Sequence, residues 1–232
     1  MQDEVLKHGK KILHTLKDHN MSTREKIKET VIEIFIIVFA VSLSIWLHGW
    51  SEERHSQKEV RDFLKGLKID LTRDIDLLHR NRSTIAALDS NFNFIMKLSA
   101  SNAAVSDSDI ASRLHYYIPV TRSNIGRYEG FKSSGKIGNI KNDSLKQNIL
   151  VFYQQTVPGL VYGENFVNGL QLKILDLQMD KMDHGTIRDF VGSGKVRALF
   201  GLGAYNFEGN LEDYDRAISQ ARTIIAQIDA EN

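Results

Sequence analysis

The chain lacks cysteine entirely and has only two prolines among its 232 residues, Pro119 and Pro158. Without cysteine it can form no disulfide bond, no thiol nucleophile and no cysteine-ligated zinc site, and its composition is compatible with either side of a membrane. The scarcity of proline, together with few alternating runs of β-branched residues, favours helices over strands. A mainly α fold is therefore predicted.

Strong charge of one sign is also absent, because 30 Lys and Arg residues balance 29 Asp and Glu residues. No basic stripe of the kind that follows a nucleic-acid backbone is visible, so nucleic acid is not a predicted partner. The chain has no GxSxG, HExxH or strand-bounded GxGxxG pattern. The sequence therefore predicts a non-enzymatic protein with no cofactor, no metal site and no catalytic residue.

What the chain does have is one long apolar run. Residues 34–47 contain no ionisable side chain, and their only polar ones are Ser42 and Ser44. Counted out to residues 31–50, the run reaches the roughly 20 helical residues that cross a bilayer core of about 30 Å. It starts too far into the chain, and is too long, for a cleaved signal peptide. We predict one permanent transmembrane helix; the alternative is a core helix of a soluble bundle.

Four polar or amphipathic residues lie near the ends of this run. Trp46, His48 and Trp50 at its end are predicted to lie at the membrane interface, where tryptophan is enriched. Glu33 lies near its start, and an ionisable residue in an apolar span is by default a functional hypothesis. Two interpretations stay open for Glu33: its carboxylate reaches the interface, or it is a proton- or ion-linked group buried between helices of an oligomer.

Capping residues and apolar periodicity predict where helices begin and end on either side of the apolar run. Residues 1–22 form a basic tail that is either amphipathic or frayed and solvated, and Ser22 with Glu25 resembles a capping box that starts a helix near Thr23. We assign residues 23–50 to the transmembrane helix and residues 51–232 to a helical-bundle domain whose first helix runs to about residue 100. Apolar residues at three- and four-residue steps from Val60 to Leu98 form a coiled-coil-like stripe or a bundle face.

Shorter helices are predicted after a loop at residues 99–108. Ser106 caps a helix that Pro119 stops near Ile118, and an irregular stretch then leads to Asn142. The remaining predicted elements are a helix that Asn142 or Asp143 caps and that continues to Pro158, a helix over residues 160–182, a glycine-rich stretch over 184–210, and a final helix capped by Asn210.

Two segments resemble a known family. The first is Glu33-Ile-Phe-Ile-Ile-Val, closed by Trp46 and by Trp50-Ser-Glu-Glu-Arg54; the second contains Lys132-Ser133-Ser134-Gly135. Both are similar to the signature segments of a bacterial family of single-span inner-membrane proteins classed as a domain of unknown function. The resemblance implies this architecture but no activity. The Lys132–Gly135 turn is interpreted either as packing between helices or as a loop that contacts a ligand or partner.

Taken together, these patterns predict one transmembrane helix that continues into a long stalk helix and a helical-bundle domain. The expected role is a membrane-anchored interaction, assembly or sensing module. Its expected partners are the lipid bilayer and either a second copy or another membrane protein. The alternative is a proton- or ion-coupled subunit that uses Glu33. We expect a bacterial inner-membrane location with the N-terminus in the cytoplasm and the domain in the periplasm.

Overall fold

The structure, a computed structural model, describes residues 6–7, 9–13, 22–98, 105–181 and 185–231. These residues form helices and their connections, and no β-strand occurs among them. The mainly α prediction is confirmed. The chain divides into two compact units, Met1–Glu59 and Val60–Asn232.

Helix α1, Thr23–Lys97, contains both the apolar run and the predicted stripe. A single helix that leads from the apolar run into the domain was predicted, and it is confirmed with an end three residues before residue 100. The side chain of Glu25, half of the predicted capping box, lies outside the described residues. The other helices are α2, Asp107–Arg113; α3, Ile125–Ser133; α4, Asp143–Val151; α5, Val157–Lys181; α6, Ile187–Gly192; and α7, Gly194–Ala230.

The stripe of α1 lies in the core of the second unit. Its residues from Val60 to Ile95 are mostly buried, and Leu67, Leu71, Ile85 and Leu88 are fully covered. Phe92 packs edge-on against Phe200 and Phe207 of α7, with ring centroids 4.6 and 4.9 Å away. The chain's own helices therefore cover the stripe, which removes it as an argument for self-association.

A second long helical path runs from Asp143 to Lys181, and Pro158 does not end it. Five residues of π-helix, Phe152–Thr156, join α4 to α5, in which Pro158 is the second residue. Proline lacks an N–H and its ring crowds the carbonyl four residues earlier, here that of Gln154. The wider π-turn relieves this conflict, so the predicted helix end at Pro158 is wrong.

Helix α7 also runs through a predicted boundary. Asn210 lies inside it and donates its side-chain amide to the carbonyl of Asn206, at 2.9 Å, rather than capping a new helix. Glycines in this helix are tolerated because some of them are packing contacts: a Cβ on Gly203 would lie 2.4 Å from the ring of Phe92. The prediction of a cap at Asn210 is therefore wrong.

The connection between α1 and α4 combines confirmed and corrected predictions. Ser106 caps α2 in a full capping box with Asp109, and Asn142 caps α4 through Leu145 N–H at 3.0 Å. However, α2 ends at Arg113, five residues before the predicted end at Ile118. The predicted irregular stretch contains α3 and a short 3₁₀ turn, Lys136–Asn139, because Tyr128 stacks on Tyr153 in the core at 4.5 Å and stabilises α3.

Candidate functional site

The apolar run of α1 is exposed rather than packed. An 18-residue window within it has a mean hydropathy of 2.4, and only 6% of that window is buried. Among the described residues it is the one helix long and apolar enough to cross a membrane. A core helix of a soluble bundle would have most of these side chains covered. The run thus presents a continuous apolar surface of the kind that lipid solvates.

Glu33 has a counter-ion within its own chain. The ammonium group of Lys11, in a helical segment over residues 9–13, donates a hydrogen bond to the Glu33 carboxylate. Only 4% of the Glu33 side chain is exposed, and the hydrogen bond and charge of Glu33 raise the pKa of Lys11. Neither sequence interpretation included this partner, because the two residues are 22 positions apart.

The predicted interface residues lie at the other end of the apolar run. Trp46 and Trp50 stack with ring centroids 6.4 Å apart, and both are exposed, as is His48. The guanidinium of Arg54 lies 4.6 Å from the centre of the Trp50 ring, a cation–π distance. This end therefore combines amphipathic rings with a positive charge.

The Lys132–Gly135 turn ends α3. The Ser133 hydroxyl donates to the Glu129 carbonyl at 2.7 Å, and the Ser134 hydroxyl donates to the Phe131 carbonyl at 2.8 Å. Gly135 adopts a φ of +75°, which glycine reaches without steric cost. Because both hydroxyls bond to their own helix, these contacts favour the packing interpretation of the turn over ligand binding.

Sequence reasoning missed a buried carboxylate at the centre of the bundle, that of Glu164. Three polar side chains donate to it: the hydroxyl of Tyr214, the hydroxyl of Thr121 at 2.6 Å, and the amide of Asn81 at 3.3 Å. The backbone N–H of Thr121 adds a fourth bond at 2.7 Å. Burial and the neighbouring carboxylate raise the pKa of Tyr214. No local pattern marks Glu164, since its donors come from three distant segments.

A second buried polar cluster involves two carboxylates one turn apart on α1. Asp70 accepts from Arg127 at 2.7 Å, and Asp74 accepts from the side-chain amide of Asn124, also at 2.7 Å. Burial raises the pKa of Asp74 and that of the nearby Tyr153 hydroxyl. In the described part of the chain, no group of three or more His, Cys, Asp or Glu residues could hold a metal.

A groove of about 620 Å³ lies between the α4–α5 path and α7. Part of its wall is the π-helical segment, through Gln155 and Thr156. Thr156 donates to Gln220 at 2.6 Å, so one wall residue is already paired with the opposite wall. The groove offers neutral amides and hydroxyls, with one rim ion pair between Arg216 and Asp213.

No protein-family model, no curated protein and no solved structure matches this chain. The resemblance to the single-span bacterial family therefore stays a prediction, and no site residue is carried over from a relative.

Proposed function

We propose that this protein is a non-enzymatic, membrane-anchored interaction, assembly or sensing module. In this proposal the apolar run of α1 is a single transmembrane helix in a bacterial inner membrane, and the unit Val60–Asn232 is the domain that meets partners. The observation that carries the proposal is the exposure of the apolar run: a surface this hydrophobic is unfavourable in water and favourable in lipid.

The polar flanks of the run support the same assignment. The Trp46–Trp50 stack with Arg54 fits a membrane–water interface at one end. Near the other end, Lys11 neutralises Glu33, which lowers the cost of placing that carboxylate close to lipid. The helical segment over residues 9–13 then lies beside the start of the span, on the same leaflet.

We place the tail in the cytoplasm and the domain in the periplasm. Lys and Arg within about fifteen residues of the span number four on each side, so the positive-inside rule does not decide the orientation. Basic residues of the tail would be attracted to the anionic cytoplasmic leaflet at about 1 kcal/mol each. Alkaline phosphatase fused after Asn232 should be active and a fluorescent protein fused there dark; the reverse pattern would contradict this orientation.

Crosslinking in native membranes tests the interaction role. A short amine-reactive crosslinker should join the domain to a second copy or to another membrane protein, since exposed lysines are present on its helices. A chain that stays uncrosslinked in membranes, while a known oligomer in the same sample is captured, would contradict the proposal.

The second candidate function, a proton- or ion-coupled subunit, rests on the burial of Glu33. The Lys11 contact gives a different reason for that burial, because it needs no oligomer and no ion pathway. Proteoliposomes that contain the protein separate the two functions: Glu33→Gln should leave proton permeability unchanged if Lys11 only neutralises the charge. A proton flux that is present in the unaltered protein and lost in Glu33→Gln would support the coupled subunit instead.

A further inference from the structure

Residues 114–124, here called the strap, connect α2 to α3 without helical structure. Tyr117 and Thr121 of the strap bond to Gln171 and Glu164, which lie seven residues apart on α5. Seven helical residues rise about 10.5 Å. Four residues that cover this distance advance roughly 2.6 Å each, which is well above the roughly 1.5 Å of a helix and closer to the roughly 3.3 Å of an extended chain. The strap therefore runs in an extended conformation alongside α5.

Side chains of α5 take the place of a neighbouring strand. The amide of Gln171 accepts from the Tyr117 N–H at 2.9 Å and donates to the Tyr117 carbonyl at 2.6 Å. Asn168 donates to the Pro119 carbonyl at 3.0 Å, and Glu164 accepts from the Thr121 N–H at 2.7 Å. Tyr117, Pro119 and Thr121 thus direct backbone polar groups toward α5.

In an extended chain the alternate residues direct their backbone polar groups the opposite way. Those residues are Ile118, Val120 and Arg122, whose backbone groups make no hydrogen bond to any residue that the structure describes. Their side chains are exposed, Ile118 to 61% and Val120 to 44%. Pro119, which has no N–H to give, occupies an inward position, so the outward edge keeps all its donors.

We propose that this edge pairs with the same edge of a second copy of the chain, antiparallel, about a two-fold axis at Val120. The inference rests on the proposed interaction role and names its partner. In this register Val120 faces Val120 and Ile118 faces Arg122, which completes about six inter-strand hydrogen bonds.

The edge is self-complementary in side chains as well as in backbone. Val120 of each copy lies directly opposite its counterpart, and Ile118 lies diagonal to it, so four β-branched side chains form one cross-strand cluster. The aliphatic stem of Arg122 covers Ile118 of the second copy. An isologous contact of this kind closes on itself and leaves no unpaired edge for further copies.

Single cysteines test both the contact and its register, because the chain contains no cysteine of its own. In an antiparallel hydrogen-bonded pair the Cα atoms lie about 5.5 Å apart, within the range that a disulfide spans. Val120→Cys in the full-length protein, purified in mild detergent and oxidised, should form a disulfide dimer. Ile118→Cys and Arg122→Cys should stay monomeric alone, with like residues about 13 Å apart, and form a heterodimer when mixed.

The matched control is Ile69→Cys, an exposed β-branched position on α1. The Val120→Cys dimer should form at least about tenfold faster than the control dimer, because pairing raises the local thiol concentration. In the Ile118→Cys and Arg122→Cys mixture, an added Val120→Pro substitution should abolish the heterodimer, since it deletes an outward N–H. An added Val120→Ala substitution should retain it. Equal circular dichroism melting curves confirm that the variants are folded.

Three results would overturn the inference: equal rates for Val120→Cys and Ile69→Cys, rapid crosslinking of Ile118→Cys alone, or a Val120→Cys product in native membranes that joins only a different protein. Membrane fractionation of the same cells keeps the two proposals apart. A chain that sediments with membranes but fails these crosslinks contradicts the paired edge alone.

Discussion

Within helix α1, apolar side chains have opposite environments in the two compact units. In the first unit Phe35, Phe39 and Ile45 expose more than half of their surface, whereas Leu67 and Leu71 in the second unit expose none. The apolar residues of the first stretch occur on all sides of the helix, and those of the second follow a stripe at three- and four-residue steps. The distribution around the helix, rather than hydrophobicity itself, separates a surface suited to lipid from a surface suited to a protein core.

Each unit also contains a buried carboxylate, and the two carboxylates have different kinds of partner. The apolar run has one buried carboxylate near its start, that of Glu33, which contacts Lys11. The domain has Glu164, whose carboxylate accepts four hydrogen bonds from the strap, α1 and α7. Substitutions in one unit are therefore expected to leave the property that depends on the other unit unchanged.

The largest effect is expected in the span. Replacing Val38 and Val41 with Asp should block membrane insertion, at about 2.5–3.5 kcal/mol for each charge near the helix centre. Membrane fractionation measures the loss. Replacing both with Leu is the matched control and should leave the protein in the membrane pellet. A double-Asp variant that still sediments with membranes would contradict the claim that the apolar run, and not the domain, holds the protein in the membrane.

A large effect on the domain alone is expected from Glu164→Ala. Loss of the carboxylate leaves several buried donors without an acceptor, which should lower the free energy of unfolding by about 3 kcal/mol or more. Urea unfolding in mild detergent, followed by circular dichroism, measures the change. Glu212→Ala, at an exposed position of α7, should stay within about 0.5 kcal/mol of the unaltered protein. Equal stability of the two variants would mean that the Glu164 contacts do not hold the domain together.

A smaller effect is expected at the closest helix approach. Gly203→Ala would place a Cβ 2.4 Å from the Phe92 ring and 2.9 Å from Leu170. This overpacking should cost about 1–3 kcal/mol of unfolding free energy. Gly209→Ala in the same helix meets nothing within 4 Å and should stabilise the protein by up to about 1 kcal/mol through helix propensity. Changes of the same sign at both positions would contradict this packing.

The smallest effect concerns pH and Asp74, whose neighbours include Asp70, Arg127 and Tyr153. Burial raises the pKa of Asp74 above its usual 3.8, so the folded protein holds the proton to higher pH than the unfolded chain. The free energy of unfolding should therefore fall as the pH rises from 3.8 toward the folded pKa.

Asp74→Asn should remove this dependence, with a difference within about 1 kcal/mol, while Asp62→Asn at an exposed position of α1 should keep it. Urea unfolding between pH 4 and pH 7 measures both variants. A parallel pH dependence in Asp74→Asn and the unaltered protein would show that Asp74 is not the group responsible.

Local signals in the sequence predicted much of the fold. The caps at Ser106 and Asn142 and the continuity of α1 are confirmed, because each depends on residues within a few positions or on a sustained periodicity. The helix ends predicted at Pro158 and Asn210 are wrong, because a π-turn and interhelical packing override the local signals there.

The candidate sites were less predictable. Glu33 was singled out by its apolar neighbours, but its partner Lys11 lies 22 positions earlier in the chain, beyond the reach of any local pattern. Residues 114–118 of the strap were predicted as helix. This prediction is wrong because the extended form depends on Gln171 and Glu164, which lie more than forty positions away in the sequence. Long-range side-chain contacts of this kind leave no trace in spacing or composition.

The most direct test of the membrane assignment is alkaline carbonate extraction of native membranes that contain the unaltered protein. Carbonate releases peripheral proteins and retains chains that cross the bilayer. The exposed apolar run of α1 predicts that the protein stays in the membrane pellet together with a known integral membrane protein. Recovery of the protein in the supernatant as a folded soluble species would contradict the account.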